Sequence, residues 1–249
     1  MMLIKTKESP EPTLETLQQL LVQPALTPKQ REAIEGEIRK VRAGAQGEKQ
    51  AAYFIDFKLK DSGNYAVLHD LRLEHNGRVA QIDHLIIGRC LDIILVESKN
   101  IGTAIRTDGE GEFEVRTRHG WKGMLSPVEQ SKRHAHVLEG VLTDLDLLPK
   151  RLGIRMMPSF NHWVLVPPEC QVTGRPKGPA ISIIKMDLFE MHMDEWIEKN
   201  PLSLLKACSR ETIMELGRAL ALHHRPITMD FPAKFGMTSA AEVAKAGVP

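Results

Sequence analysis

Apolar residues recur at helical spacing near the start of the chain, at Leu14, Leu17, Leu20 and Leu21, and predict a first helix there. Thr27-Pro28-Lys29-Gln30 starts a second. The Thr27 hydroxyl can accept from the Gln30 backbone N–H while the Gln30 side chain reaches back, and Pro28 falls where a missing N–H costs nothing. Gly44 and Gly47 then punctuate the path into a third helix from about Glu48 to Lys58, with Glu48, Ala52, Ile55 and Leu59 on one face. After Asp61-Ser62-Gly63-Asn64 the period changes to two. Strands over Ala66 to Leu73 and Val79 to Ile87 flank Asn76-Gly77, a pair suited to the positive φ angles of a type I′ hairpin turn. A third strand, Leu91 to Glu97, is apolar on both faces and belongs in the middle of a covered sheet.

Further on, Glu112 to Trp121 is weakly patterned, and Ser126-Pro127-Val128-Glu129 repeats the helix-start signature. Strands follow at Asn161 to Val166 and Ile181 to Lys185, then helices at Asp187 to Lys199 and Arg210 to His223. Pro226 to Pro249 has no clear period before a short Ala-rich run, Ser239 to Ala246, and reads as a tail or partner-dependent segment. The pattern predicts an α/β protein in three parts: a helical extension over 1–43, a main domain over 44–225 and a tail over 226–249.

Composition narrows the class. Hydrophobic residues at 42% and charged residues at 26% exclude disordered, collagen-like and coiled-coil chains. The net charge of +1 argues against a polybasic binder, so a polyanionic partner has to be met by a local patch. No apolar run is long enough to span a bilayer, and Met1 to Pro12 lacks the apolar core of a signal peptide. Cys90, Cys170 and Cys208 are too scattered for a disulfide framework or a zinc site, which points to a reduced, cytoplasmic setting.

The informative stretch is Gln81 to Asn100. Asp83 interrupts a buried-strand pattern, and Glu97 and Lys99 end the next strand on a shared face. Charges inside apolar strands are costly unless paired or bound to a cation. If the strands are neighbours, the three groups converge, and the chemistry that uses such a trio is metal-assisted phosphodiester hydrolysis. Asp83 and Glu97 offer hard oxygens to Mg²⁺ or Mn²⁺, the Ser98 carbonyl can complete the set, and Lys99 can orient or help deprotonate a water. An ordinary strand-end ion pair is the competing reading of Glu97 and Lys99 alone. Glu48, on an apolar helical stripe, needs a cation or donor, and Gln130 sits on the first turn of the capped helix on the same side as His134.

Nearby, Arg116, Arg118, Lys122, Lys132, Arg133 and His134 form a basic cluster able to meet phosphates, with Trp121 available to stack on a base. The Asn76-Gly77 register also sets Asp70 opposite Asp83, which makes Asp70 a further candidate at the metal site.

Gly47-Glu48, Gln81-Ile82-Asp83-His84, Val96-Glu97-Ser98-Lys99-Asn100 and Ser126-Pro127 with Gln130 and His134, in that order, resemble the nuclease-related domain (NERD) of the PD-(D/E)xK nuclease superfamily. The resemblance covers about Gly44 to Leu142, and Ile82 stands where the superfamily has Pro. It implies a mixed sheet flanked by helices, a restriction-endonuclease-like core. It also implies Asp83, Glu97 and Lys99 as catalytic residues, Glu48 as an accessory metal ligand and Gln130 as a substrate-positioning group. The expected function is a Mg²⁺- or Mn²⁺-dependent nuclease acting on DNA rather than RNA, and the alternative is a nucleic-acid-binding or assembly module that kept the fold without turnover. The N-terminal helices are the expected contact with a second copy or a protein partner.

Overall fold

The computed structural model describes residues 1–108, 110–178, 180–201 and 207–237. In chain order its elements are β1 (Met2–Lys5), α1 (Glu11–Leu21), α2 (Pro28–Leu59), β2 (Tyr65–His75), β3 (Arg78–Gly88), β4 (Asp92–Ser98), β5 (Ala104–Thr107), β6 (Phe113–Thr117), β7 (Gly120–Met124) and α3 (Pro127–Asp144). Then come β8 (Lys150–Arg151), β9 (Ile154–Arg155), β10 (Ser159–Val166), β11 (Gln171–Thr173), β12 (Ile181–Lys185), α4 (Phe189–Lys199), α5 (Arg210–Leu222) and α6 (Phe231–Lys234).

The chain forms two compact units, one of residues 1–7 and 47–225, the other of 8–46 and 226–249. The first is built on a six-stranded mixed sheet in the order β1-β2-β3-β4-β10-β12. β3 runs antiparallel to both its neighbours, β2 and β4, while β1 pairs in parallel with β2, and β10 in parallel with β4 and β12. One face packs Leu71, Ile82, Leu85 and Leu95 against α3 and α5 through Leu138, Val141, Ile213 and Leu220. The other packs Val67, Ile86, Ile94 and Val96 against the end of α2 and against α4 through Ala51, Ile55, Phe189 and Met193. A smaller sheet, β11-β5-β6-β7, lies between β4 and α3 in sequence, apart from β11.

Local chemistry explains much of this. The Asn76-Gly77 turn takes φ values of 47° and 72°, as a type I′ hairpin requires. Gln30 N–H donates to Thr27 Oγ1 at 3.2 Å and Thr27 N–H donates to Gln30 Oε1 at 3.0 Å, so the first capping box closes in both directions. The second closes in one: Glu129 N–H donates to Ser126 Oγ at 3.2 Å, while the Glu129 carboxylate takes the Lys132 ammonium instead.

Several expectations need correction. Met2–Lys5, inside the stretch read as a helical extension, is a strand parallel to β2. It is too short for a period to show. Gly44 and Gly47 do not interrupt the chain's longest helix, since α2 runs unbroken from Pro28 to Leu59. In the second unit, Leu14, Leu17, Leu20, Ile34 and Ile38 bury against Phe231, with Phe235 and Met237 alongside, so the apolar faces of these helices are at least partly covered by the segment read as a tail. Asp230 caps the short helix α6 of that segment by accepting from the Ala233 N–H at 3.0 Å. The Ala-rich run Ser239 to Ala246 lies outside the described residues. Among the described residues no helix is long and apolar enough to cross a membrane.

Gly47 is where α2 passes close to the end of β4. A Cβ added there would meet the Asn100 Cβ at 2.9 Å, whereas one at Gly36, on the same helix, meets only an Arg39 nitrogen at 3.8 Å. Alanine gains about 1 kcal/mol over glycine in a helix interior, and overpacking costs about 1–3 kcal/mol. Gly36→Ala is therefore expected to raise the urea midpoint and Gly47→Ala to lower it. Denaturation curves for the two variants check this, and an equal shift for both would remove the close-approach explanation.

Candidate active site

β3 and β4 are antiparallel neighbours, and the pairing of His84 with Val96 brings the preceding Asp83 level with the following Glu97. Asp83 owes its orientation to an irregularity shared by two strands. Leu68 and Leu71 on β2, and Ile82 and Leu85 on β3, join the same core cluster, so side-chain alternation slips at Asp70 and at Asp83 together. Asp70 takes a positive φ of 56°, and no pairing of Asp70 with Asp83 interrupts the ladder between Leu71–Ile82 and His69–His84. Such irregularities re-aim side chains and cluster at functional sites.

Glu97 is 4% exposed and is held from two sides. Lys99 Nζ donates to its Oε1 at 2.7 Å, and Gln130 Nε2 donates to the same oxygen at 2.7 Å. Lys99 Nζ also donates to Gln130 Oε1 at 3.3 Å, which closes a triangle between the end of β4 and the first turn of α3. His134, one turn along α3, sets Nδ1 3.9 Å from Glu97 Oε2. Asp83 Oδ2 accepts from the Ser98 backbone N–H at 2.7 Å. Glu48, on α2, pairs with the ammonium of Lys7.

These groups share one electrostatic problem. Burial, then the carboxylates of Glu97 and Glu48, push Asp83 well above the usual carboxylate range against the pull of the Ser98 N–H and Lys99. Burial also raises Glu97, opposed chiefly by Lys99, with Glu48 adding to the rise and Gln130 to the opposition. Burial, Arg133 and Lys99 depress His134 to about 4, so near neutral pH its ring is uncharged and its approach to Glu97 is not an ion pair. A buried set of carboxylates whose charge is this unfavourable gains from a cation.

The donor set fits Mg²⁺ or Mn²⁺, which take hard oxygens, few carboxylates and several waters. Asp83 and Glu97 are the residues that would hold the ion, with the Ser98 carbonyl beside them in sequence. The fit extends no further among the described residues, where no group of three His, Cys, Asp or Glu side chains is assembled to hold a metal. Glu48 faces Lys7, and Asp70 turns its carboxylate to the Gln81 amide, so the geometry gives the expectation of Asp70 as a ligand no support. Because the carboxylates hold protons above their usual range, an ion must displace them, and Mn²⁺ affinity is expected to rise with pH through a window above the ordinary carboxylate values. Calorimetric titration in buffers of rising pH checks this, and an affinity independent of pH across that window would contradict it.

The expected basic cluster divides. His134 is 9% exposed and belongs to the carboxylate site. Arg116 and Trp121 are cross-strand partners on β6 and β7, with the guanidinium 5.6 Å from the ring centre. Arg106, on β5, lies closer at 4.4 Å and also pairs with Glu114, so an arginine already lies over the ring expected to stack on a base. Arg118 donates to the neighbouring His119, Lys122 lies on β7 beside Trp121, and Lys132 is on the outer face of α3, paired with Glu129 at 2.6 Å. Arg133 is exposed and close enough to depress His134.

Sequence reasoning missed Lys7 and Arg106. Lys7 sits in a polar stretch before the first helix, where nothing local marks it, and only the pairing of β1 with β2 carries it to Glu48. Arg106 belongs to a four-residue strand, and its alternation with Trp121 across the small sheet was not legible locally.

Comparison with known proteins gives one match. Residues 43–164 fit the family model described as the nuclease-related domain. That span holds Glu48, Asp83, Glu97, Lys99 and Gln130. No match was found among curated proteins or among solved structures.

Proposed function

We propose, from the match of residues 43–164 to the nuclease-related domain, that this chain is a divalent-cation-dependent nuclease hydrolysing phosphodiester bonds in DNA through Asp83, Glu97, Lys99 and Gln130. The observation that carries the reading is the buried Glu97, gripped by Lys99 and Gln130 while Asp83 stands level with it on the adjacent strand. A purely structural strand-end pair has no use for a second raised carboxylate beside it.

Asp83 and Glu97 would hold the ion, with the Ser98 carbonyl as a third oxygen. The bound cation would acidify a water and offset the charge that builds on the phosphate. Lys99, 22% exposed and within reach of both Glu97 and Gln130, would orient that water and take part in moving its proton. Gln130 fixes the free rotation of the Glu97 carboxylate, and its place on the first turn of α3 sets it at the helix end whose dipole favours negative charge. Arg106, Arg116 and Lys122 on the small sheet would neutralise backbone phosphates. Glu48 would join the ion only by giving up Lys7.

One observation favours the second reading, a binding or assembly module without turnover: each of these carboxylates already has a donor from the chain itself. The test is incubation with single- and double-stranded DNA and with RNA, with Mn²⁺ and with chelator. Cleavage of DNA that leaves 5′-phosphate and 3′-hydroxyl ends only when cation is present supports the nuclease. Retained DNA binding with no cleavage at any cation concentration supports the module.

A further inference from the structure

Ser98 lies between Glu97 and Lys99 in sequence, but its side chain faces the other side of the sheet and starts a line of hydrogen bonds. Its Oγ is 2.9 Å from His84 Nε2, His84 Nδ1 is 2.8 Å from His69 Nδ1, and His69 Nε2 is 3.0 Å from Asp56 Oδ1 on α2. The rings meet edge to face at 82°. His84 is fully buried and His69 is 3% exposed, while the Asp56 side chain keeps 34% of its surface in water.

The far end of this line orders the protons when His69 is the neutral imidazole. A carboxylate only accepts, so that imidazole carries its hydrogen on Nε2 and presents a bare Nδ1. Two facing Nδ1 atoms share one proton, which then comes from His84. His84 Nε2 is then the acceptor for the Ser98 hydroxyl. The Ser98 backbone N–H meanwhile donates to Asp83, so Asp83 and His84, consecutive on β3, grip Ser98 by backbone and side chain at once.

We propose that Asp56, His69 and His84 are positioning residues: a buried relay that fixes the tautomer of His84, thereby the orientation of Ser98, and through the Ser98 N–H the carboxylate of Asp83. The proposal deepens the nuclease reading and rests on it for its functional consequence, although the proton arrangement stands by itself. A satisfied pair of core histidines would share the hydrogen bonds but would leave the Asp83 site indifferent to Asp56.

The test uses the full chain and three proteins: wild type, Asp56→Ala and Asp56→Asn. Asp56 lies on a helix and is partly exposed, so alanine there is compatible with folding. Nitrogen-detected histidine NMR is expected to show wild-type His69 protonated at Nε2 and His84 at Nδ1. In Asp56→Ala the His69 tautomer is expected to lose its preference, with turnover of DNA falling about 10–100-fold at little change in KM, the range typical for groups that orient metal-bound residues. Asparagine keeps an accepting oxygen and is expected to recover most of the loss. The opposite tautomers in wild type, or an alanine variant with unchanged turnover, would overturn the proposal. If wild type cleaves nothing, the nuclease reading fails separately, and Mn²⁺ affinity becomes the readout. A weaker affinity in Asp56→Ala with recovery in Asp56→Asn supports the relay, and equal affinity in all three proteins overturns it.

Discussion

Lys99→Ala is expected to lower the turnover of DNA by about 10²–10⁴-fold, the range for loss of a positioned proton-transfer group. The ammonium is within 2.7 Å of Glu97 and 3.3 Å of Gln130, which sets a proton-bearing cation directly beside the buried carboxylate. Removing it leaves Gln130 still donating to Glu97 but takes away the cation that chiefly offsets this buried carboxylate, so the thermal midpoint is expected to fall as well. Lys99→Arg is not expected to rescue the loss, because a guanidinium stays protonated and presents a planar fork in place of a compact ammonium. Single-turnover cleavage of a labelled duplex, beside thermal denaturation of the same preparations, measures both halves. Turnover within a few-fold of wild type in Lys99→Ala would remove Lys99 from the chemistry.

Asp83→Asn is expected to do two opposite things: abolish cation-dependent cleavage and make the fold more stable. Asp83 stands in a buried site beside Glu97 and Glu48, and burial with those two charges raises its proton affinity in the folded state. A carboxyl whose folded pKa lies above its unfolded value binds more protons folded than unfolded in the window between them. Stability from this group is therefore present at low pH and lost as pH rises through the raised value. At neutral pH the carboxyl is therefore a liability to the fold, and an amide of the same shape, still able to accept from the Ser98 N–H, relieves it. The expected gain is about 0.5–2 kcal/mol, the scale on which relief of functional strain usually appears. Urea denaturation at neutral and acid pH tests the sign: the advantage of the variant should shrink as the solution is acidified. A variant less stable than wild type at neutral pH would mean that Asp83 is a structural anchor and not a strained functional group.

The same residues show what a sequence reveals and what it hides. The hairpin around Asn76-Gly77, both helix starts, the strands that became β10 and β12 and the neighbouring of Asp83 with Glu97 were legible because turn chemistry, capping and alternation are local. The register argument located Asp70 level with Asp83 along the ladder but not where its carboxylate goes, because the positive φ at Asp70 breaks the alternation that the argument assumed. Gly44 and Gly47 were read as breaks because glycine weakens a helix, and only the tertiary approach of α2 to Asn100 explains the one at Gly47. Lys7 and Arg106 reach their places through strands of four residues, too short to carry a period. Trp121 was legible as an aromatic among cations, but not as a ring already under Arg106.

Crystals soaked in Mn²⁺ and measured by anomalous scattering are expected to show a peak at about 2.0–2.2 Å from carboxylate oxygens of both Asp83 and Glu97, with the Ser98 N–H still on Asp83 and Lys99 within reach of a metal-bound water. A peak elsewhere, or none while these carboxylates keep only their present partners, would contradict a cation site there.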